Sequence, residues 1–403
     1  MRMMNGQKVA SVMPQTICMM HWFYPPQPGG VEVAMQNTCR ELVRRGHSVF
    51  VLASSQSEYT IEEDRGVQVH RIPQLRTDLA ISRETCLEFY NFLTSFIKKY
   101  NIDLLHLHNF HLSQGIHHAI TSNLASKRSG IPSLIHLHGS IIAPLEKFIV
   151  RNVEWTKILS VSKWVENQVI SDMIRDKAIV IYNGVDEERF RPDLRGDSIR
   201  EMLNISSEKV IYCPTRIIKT IEGILEDRKG VLTLLEAAKI LKKDFGDFKL
   251  LLTGLGKSGL FKEKTNKLHR MLERNAQNFG ISDNFILHSF TDDEMPLAYA
   301  AADIICLPSW NEPCSMVILE GMMSGKPVIA GESGGTPELI RDGDTGYLVE
   351  VKRPDILAEV LRDVLTDKKE ARRVGENARL EAEKRFSLKV VVDKLEKIYG
   401  DVC

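Results

Sequence analysis

Two acids, Glu312 and Glu320, lie eight positions apart around an otherwise apolar segment. A helix is predicted to begin between them, near Cys314 or Ser315, where a hydroxyl is available as a cap, and Gly325 ends it. Glu312 therefore precedes the helix and Glu320 falls in its second turn. At a rise of about 1.5 Å per residue, the two acids are at most about 12 Å apart.

The start of such a helix is an anion site, because the backbone N–H groups near Ser315, Met316 and Val317 have no partner inside the helix. Carboxylates beside it would repel a phosphate, so we expect them to hold hydroxyls at either end of a diphosphate. A nucleotide sugar has this arrangement, with sugar hydroxyls on one side and ribose hydroxyls on the other. The simpler alternative is a pair of solvated acids beside a core helix.

A second candidate is the loop that contains Gly29 and Gly30, between the first predicted strand and the first predicted helix. Ligands bind at this position in open parallel sheets, and glycine lets backbone N–H groups approach a phosphate closely. The alternative is a tight strand-to-helix turn, and the Gly-x-Gly-x-x-Gly dinucleotide fingerprint is absent.

These residues sit in a chain where apolar runs and amphipathic stretches alternate, which predicts parallel sheets covered by helices on both faces. A first series runs through Thr16–His21, Glu32–Arg45, Ser48–Ala53, Glu84–Lys99, Leu104–His108 and Ser133–His138. A second series has strands at Val210–Cys213, Lys249–Thr253, Asn284–His288, Ile304–Leu307 and Pro327–Ala330.

We therefore predict two Rossmann-like, doubly wound α/β domains. The first spans residues 1–190 and the second residues 205–385, with a linker near 185–205, where Asn183-Gly184 is a turn signal and Pro192 ends regular structure. A last helix within residues 386–403 is compatible with packing back on the first domain.

The amino-acid composition argues against several classes of protein. The 53 basic and 53 acidic residues balance, which argues against nucleic-acid binding. The seven cysteines show no metal or redox spacing and indicate reduced thiols. We find neither a secretory signal nor an apolar run long enough to span a membrane, so we expect a cytoplasmic protein. Peripheral membrane contact and the oligomeric state stay open.

Taken together, the motifs resemble the retaining glycosyltransferases of family 4, which have the GT-B fold of two Rossmann-like domains facing across a cleft. The resemblance covers nearly the whole chain. It rests on Pro25–Glu32, Gly46–Val49, His106–His108, His136–Gly139, Asn183–Asp186, Arg216 with Lys229-Gly230, and Glu312–Glu320.

The resemblance implies roles for single residues. Glu312 would bind hydroxyls of the donor sugar and Glu320 the ribose, while Arg216 and Lys229 would neutralise the diphosphate. His138 matches the active-site histidine of the family, so His138 and Glu312 are the candidate catalytic residues. The phosphate cradle would be completed by Gly30 and the amides from Cys314 to Val317.

The acceptor is less defined. Aromatic and polar residues of the first domain, among them Tyr24, Asn109 and His111, fit a sugar, an aminocyclitol, a lipid-linked saccharide or a small metabolite. For the donor, family frequency favours UDP-N-acetylglucosamine and UDP-glucose over GDP-mannose.

The chain departs from the family pattern in two places. Cys314-Ser315 stands where Phe-Gly is usual, which restricts the backbone there. The usual short gap before Lys229 is extended by Ile217–Arg228, so Lys219 or Arg228 could replace Lys229 at the diphosphate.

No metal or other cofactor is expected. Asp342-Gly343-Asp344 is formally an Asp-x-Asp pair, but we interpret it as a turn before a strand. If cationic side chains and a helix start stabilise the leaving group, transfer needs no metal. The alternatives are an enzyme similar to UDP-N-acetylglucosamine 2-epimerase and a non-catalytic nucleotide-sugar-binding protein.

Overall fold

A computed structural model describes residues 13–27, 29–78, 81–141, 143–215, 220–221, 224–225, 227–253 and 262–403. The chain forms two compact units. The first comprises the residues up to Gly184 together with Leu388–Cys403, and the second comprises Val185–Ser387. The residues of the predicted linker that follow Gly184 therefore belong to the second unit, where Phe190 packs edge-on against Tyr299 at a ring distance of 5.4 Å.

The first unit is built on one sheet, whose described strands run in the order β3-β4-β2-β1-β5-β6-β7-β8. All neighbouring pairs are parallel except β3 and β4, which are antiparallel. The strands are β1 (Thr16–Met20), β2 (Ser48–Ser54), β3 (Thr60–Asp64), β4 (Val67–Ile72), β5 (Leu104–His108), β6 (Ser133–Leu137), β7 (Lys157–Ser160) and β8 (Ala178–Val180).

Helices cover the first sheet: α1 (Gly30–Arg44), α2 (Arg83–Tyr100), α3 (Ile116–Ser129), α4 (Pro144–Asn152), α5 (Lys163–Glu166) and, from the end of the chain, α13 (Leu388–Val402). The apolar face of α13 enters the same core as β1 and β2, with Val392 and Tyr399 fully buried. Arg45 fixes this helix to the end of α1, because its guanidinium bonds Glu41 at 2.8 Å and Glu396 at 2.6 Å.

The second unit contains a parallel sheet, whose described strands run in the order β13-β12-β9-β14-β15-β16, and a short antiparallel pair, β10 and β11. The strands are β9 (Lys209–Cys213), β10 (Thr220–Ile221), β11 (Ile224–Leu225), β12 (Phe248–Thr253), β13 (Phe285–His288), β14 (Ile304–Leu307), β15 (Val328–Gly331) and β16 (Tyr347–Val349). The helices are α6 (Asp197–Met202), α7 (Val231–Leu241), α8 (Lys262–Asn278), α9 (Met295–Ala301), α10 (Met316–Met323), α11 (Pro354–Thr366) and α12 (Lys368–Phe386).

In each sheet, the order in which successive strands are added changes direction at one point. In the first unit the strand order turns between β1 and β5, and in the second between β9 and β14. Loops that leave neighbouring strands on opposite sides of such a point open a crevice at the carboxyl edge. This topology confirms the prediction of two Rossmann-like, doubly wound domains. It also places the loops after β1, β5, β9 and β14 where ligands bind in such sheets.

The predicted core strands match the observed ones closely. The run predicted at Thr16–His21 is the strand Thr16–Met20, and that predicted at Pro327–Ala330 is Val328–Gly331. The β3–β4 hairpin was not predicted, since four of the five residues of Thr60–Asp64 are exposed and the segment has no buried face. The seven cysteines all lie within the described residues and form no disulfide.

Candidate functional site

The loop between β14 and α10 holds Glu312 in a fixed position. Asn311 adopts a left-handed conformation with φ of 57°, and its N–H donates to Ser333 Oγ at 3.0 Å. The carbonyl of Glu312 accepts from the N–H of Gly335 at 2.7 Å. Gly334 is also left-handed, and a Cβ there would lie 2.5 Å from the Glu312 carbonyl oxygen. The close approach of these two loops therefore requires glycine.

Glu312 forms an ion pair with Lys229, whose Nζ donates to Glu312 Oε1. Lys229 precedes α7, and the next residue, Gly230, is left-handed. A Cβ on Gly230 would lie 2.2 Å from the carbonyl oxygen of Pro308, so the loops before α7 and after β14 touch through this glycine. The carboxylate is mostly buried and the ammonium partly exposed. A desolvated carboxylate beside a cation is stable only as a pair, so the two side chains depend on each other.

Glu320 lies in the second turn of α10 and is partly buried. Its Oε2 accepts the hydroxyl of Tyr299 on α9 at 2.7 Å. Desolvation raises the pKa of Glu320 to about 7, against the opposing effects of the Tyr299 hydrogen bond and the positive charge of Arg189. Arg189 itself pairs with Asp292 at 2.8 Å. Near neutral pH, both the neutral and the charged form of Glu320 are therefore populated.

The start of α10 lies between the two glutamates. Ser315 is the N-cap, but its side chain accepts no capping hydrogen bond. Its carbonyl accepts the first intrahelical bond from Leu319 N at 3.2 Å. The N–H groups of Met316 and Val317 have no partner within the helix, because the first turn of any α-helix leaves them unsatisfied. The helix dipole adds a partial positive charge at the same point.

Two of the residues predicted for the donor site fall outside the described part of the chain, and the others lie within it. Arg216 and Lys219 lie outside the described residues. Arg228 is exposed, and its guanidinium donates to the carbonyl of Asn311 at 3.3 Å, so it supports the Glu312 loop. Cys314 is buried in that loop. In the first unit, Gly30 is the exposed first residue of α1.

The carboxyl ends of β5 and β6 in the first unit carry four buried histidines, His106, His108, His136 and His138. The parallel register places His108 opposite His136. His108 Nδ1 lies 2.9 Å from His138 Nε2, and His106 Nε2 lies 3.2 Å from His136 Nδ1. Burial holds the pKa of His138 well below its ordinary value, helped by the neighbouring histidines. His138 is therefore a neutral imidazole.

The other predicted residues of the first unit are also buried. Asn109 is left-handed, with φ of 62°, and its Oδ1 accepts from the N–H of His138 at 2.8 Å, which fixes the backbone there. His111 is fully buried, and neither ring nitrogen has a hydrogen-bond partner among the residues that the structure describes. The hydroxyl of Tyr24 donates to Asp64 Oδ2 at 2.8 Å. The Tyr24 hydroxyl is thus engaged within the first unit by Asp64. Acceptor binding by Tyr24, Asn109 and His111 remains a prediction.

The Asp342-Gly343-Asp344 segment forms a turn. Asp342 Oδ1 accepts from the N–H of Leu348 at 2.9 Å, and Asp344 pairs with Arg341 at 3.0 Å. Gly343 is left-handed, as such a turn requires. Both carboxylates are thus engaged in local structure.

Two supporting residues were not found from the sequence. Tyr299 holds Glu320, and Tyr399 on α13 places its hydroxyl 2.7 Å from His106 Nδ1. Each lies in a stretch that resembles ordinary core helix, so no local pattern distinguishes it. Within the described part of the chain, the helices include none that is long and apolar enough to cross a bilayer.

Comparisons with known proteins find glycosyltransferase relatives over both units. The family model described as glycosyl transferases group 1 matches residues 215–381, and the model described as glycosyltransferase family 4 matches residues 28–189. An uncharacterized glycosyltransferase of Methanocaldococcus jannaschii is 28% identical over 94% of this chain and 96% of its own. The N-acetyl-alpha-D-glucosaminyl L-malate synthase of Bacillus anthracis is 26% identical, over 94% of this chain and 95% of its own.

Among solved structures, an Anabaena protein crystallised in complex with UDP and glucose superimposes with a TM-score of 0.76 at 19% identity. The match covers 96% of this chain and 100% of that one, and it supports the fold. The two family models match different parts of the chain, and together they account for most of the sequence. The chain therefore belongs to the group 1, family 4 glycosyltransferases of the GT-B fold.

Proposed function

We propose that this glycosyltransferase is a retaining, metal-independent enzyme that uses a nucleotide-diphosphate sugar, with UDP-N-acetylglucosamine or UDP-glucose as the favoured donors. The acceptor is a hydroxyl of a sugar, an aminocyclitol, a lipid-linked saccharide or a small metabolite. One observation carries the proposal: the start of α10, whose first N–H groups have no acceptor within the helix, lies between the Lys229–Glu312 ion pair and the partly desolvated Glu320.

The donor would bind along α10 with its diphosphate at the helix start. The amides of Met316 and Val317 would donate to phosphate oxygens, as helix starts commonly do. Lys229 would supply a positive charge beside them. Glu312 would accept hydrogen bonds from sugar hydroxyls while Lys229 contacts both Glu312 and the diphosphate. Before the donor binds, Lys229 compensates the charge of the buried Glu312 carboxylate.

Glu320 would bind the ribose of the donor. A carboxylate accepts two hydroxyl hydrogen bonds, and such charge-assisted bonds are short and strong. The donor must then stabilise the charged form of a group whose pKa lies at about 7. Nucleotide affinity is therefore expected to fall as the pH drops below about 7, where Glu320 takes up a proton.

The reaction replaces one bond at the anomeric carbon of the donor. The bond to the diphosphate oxygen breaks, the acceptor oxygen attacks on the same face, and the acceptor proton passes to the departing phosphate oxygen. The products are a glycoside with retained configuration and a nucleoside diphosphate. Lys229 and the amides of α10 would stabilise the charge that develops on the leaving group.

His138 would act in the first unit as a neutral hydrogen-bonding group near the transferred sugar. Its Nε2 is paired with His108, which leaves Nδ1 as the nitrogen without a partner in the described part of the chain. A neutral imidazole can donate or accept one hydrogen bond at that atom. Glucose or N-acetylglucosamine as the transferred sugar is consistent with the similarity to the N-acetyl-alpha-D-glucosaminyl L-malate synthase of Bacillus anthracis and to the Anabaena protein that binds UDP and glucose.

A donor panel with candidate acceptors tests the proposal. We expect release of nucleoside diphosphate only when a matching acceptor is present, unchanged rates in EDTA, and a product whose anomeric coupling in NMR equals that of the donor. Sugar isomerisation without an acceptor would instead support an epimerase. Donor binding without turnover would support a non-catalytic binding protein, and a rate lost in EDTA and restored by Mg²⁺ would refute metal independence.

A further inference from the structure

Three of the buried histidines in the first unit, His106, His108 and His136, form a compact group that we call the histidine cluster. Each offers a ring nitrogen, and these atoms all lie within 4.8 Å of one another. The cluster lines a cavity of about 20 Å³, together with His138, Tyr182 and side chains of α1 and α13. A space of this size holds roughly one water-sized sphere.

The hydrogen bonds of the cluster distinguish the two nitrogens of His106 and of His108. The ring planes of His106 and His136 are nearly parallel, with an interplanar angle of 12°. His106 Nδ1 is engaged by the Tyr399 hydroxyl at 2.7 Å, so Nε2 is the atom it presents to His136 Nδ1 at 3.2 Å. His108 Nδ1 is engaged by His138, and His108 Nε2 has no hydrogen-bond partner among the described residues.

The cluster is also deeply buried, and burial keeps the pKa of His106 and His108 well below the ordinary value. His108 Nε2 and His136 Nε2 are both buried without a hydrogen-bond partner among the described residues. A buried polar atom normally has such a partner, so these nitrogens call for an explanation.

We propose that the histidine cluster binds one divalent transition-metal ion of the zinc class through His106 Nε2, His136 Nδ1 and His108 Nε2. Three imidazoles suit Zn²⁺, Co²⁺ and Ni²⁺ better than Mg²⁺ or Ca²⁺, which prefer oxygen. Nitrogens at about 2.0–2.1 Å from Zn²⁺ in a tetrahedral site are roughly 3.3 Å apart. The 3.2 Å between His106 and His136 already meets this spacing.

Outer partners support the assignment for two of the three histidines, because metal-bound histidines usually hydrogen-bond through their second nitrogen. The Tyr399 hydroxyl holds His106 at 2.7 Å. On His108 the partner is His138 Nε2. A metal on His108 Nε2 forces the proton of that ring onto Nδ1. His108 then donates to His138, whose own proton is thereby kept on Nδ1.

This site differs from a metal on the donor diphosphate. The cluster lies in the first unit, whereas the proposed diphosphate site lies at the start of α10 in the second. The histidine cluster can therefore bind a metal ion while sugar transfer itself needs none. An EDTA-treated enzyme that retains transfer leaves the cluster proposal intact, and a metal-binding failure leaves the proposed transfer intact.

The test uses the full chain, stripped with a chelator and titrated with ZnCl₂ by calorimetry. We expect one Zn²⁺ per chain with a dissociation constant below 1 µM, and a rise in melting temperature that grows with Zn²⁺ concentration. CoCl₂ should give visible d–d absorption of a nitrogen-ligated site. X-ray absorption of the Zn²⁺ protein should show three imidazoles.

Variants locate the ion. His108→Gln should weaken Zn²⁺ binding at least 100-fold, while His117→Gln and His269→Gln, outside the cluster, should leave it unchanged. Binding that survives His108→Gln, or absorption spectra showing two imidazoles or fewer, would overturn the assignment. If His108→Gln fails to fold, the wild-type spectra decide. Absence of binding by the wild type at 100 µM ZnCl₂ refutes the proposal outright.

Discussion

Replacing Glu320 with glutamine tests the electrostatics of the proposed ribose site. Glutamine keeps the length of the side chain and an oxygen that accepts the Tyr299 hydroxyl, but it cannot ionise. The pKa of Glu320 is raised from 4.5 to about 7, so the folded protein holds this proton more tightly than the unfolded chain does. The resulting stabilisation is complete below pH 4.5 and is lost as the pH rises through about 7.

The size of the effect follows from the pKa. A rise from 4.5 to about 7 corresponds to about 3 kcal/mol between the two protonation states. The side chain keeps some contact with solvent, which reduces the figure to about 2 kcal/mol. At pH 8 we expect Glu320→Gln to unfold at a temperature higher than the wild type by about 4–8 °C for a unit of this size. Near pH 4.5 the two proteins should converge.

Nucleotide affinity should change in the opposite direction. Hydrogen bonds from ribose hydroxyls to a carboxylate are worth about 1.5–3 kcal/mol, so at pH 8 we expect Glu320→Gln to bind UDP roughly 10–100-fold more weakly by calorimetry. A group that destabilises the free protein and strengthens ligand binding is typical of a functional site.

The matched control is Glu359→Gln on α11, an exposed glutamate of the same unit. It should alter neither the melting temperature nor the UDP affinity. The reasoning is refuted if Glu320→Gln lowers the melting temperature at pH 8, if the difference from the wild type persists at pH 4.5, or if UDP affinity is unchanged.

Three further predictions concern other contacts. Gly334→Ala brings a Cβ to 2.5 Å from the Glu312 carbonyl, whereas Gly343→Ala, also left-handed, meets nothing within 4 Å. Both variants should have a free energy of unfolding lower by about 1–2 kcal/mol in thermal unfolding, because alanine is strained in the left-handed conformation. Only Gly334→Ala should also weaken UDP binding, and equal UDP affinities of the two variants would contradict this. Lys229→Met should lower kcat about 100–1,000-fold, while the exposed Lys243→Met should not, and a change in KM alone would argue against leaving-group stabilisation. Tyr399→Phe leaves His106 Nδ1 without its partner and should cost about 1–3 kcal/mol in chemical unfolding; an unchanged midpoint would show that the bond contributes nothing.

Much of the fold could be predicted because short stretches of sequence identify its strands and helices. Buried parallel strands are short, continuous apolar runs, and Leu104–His108 and Ile304–Leu307 were bounded correctly for this reason. The hairpin Thr60–Asp64 with Val67–Ile72 was missed, because an exposed edge strand has no such run.

The two glutamates could also be placed from the sequence. A strand end, a loop and a helix follow one another between Ile304 and Met323, so Glu312 had to precede the helix and Glu320 had to lie within it. Their partners could not be predicted in the same way. Lys229 is 83 residues from Glu312, and Tyr299 belongs to a different helix from Glu320.

The sequence by itself determined the family, the alternation of strands and helices, and which acids flank the start of α10. Only the tertiary structure decided what those acids contact. The sheet order places β9 beside β14 and β5 beside β6, so loops far apart in the chain meet at one edge. Lys229 meets Glu312 there, and His106 meets His136 in the same way. The charge state of Glu320 and of the histidines then follows from burial, which is a property of the packed chain and not of any local pattern.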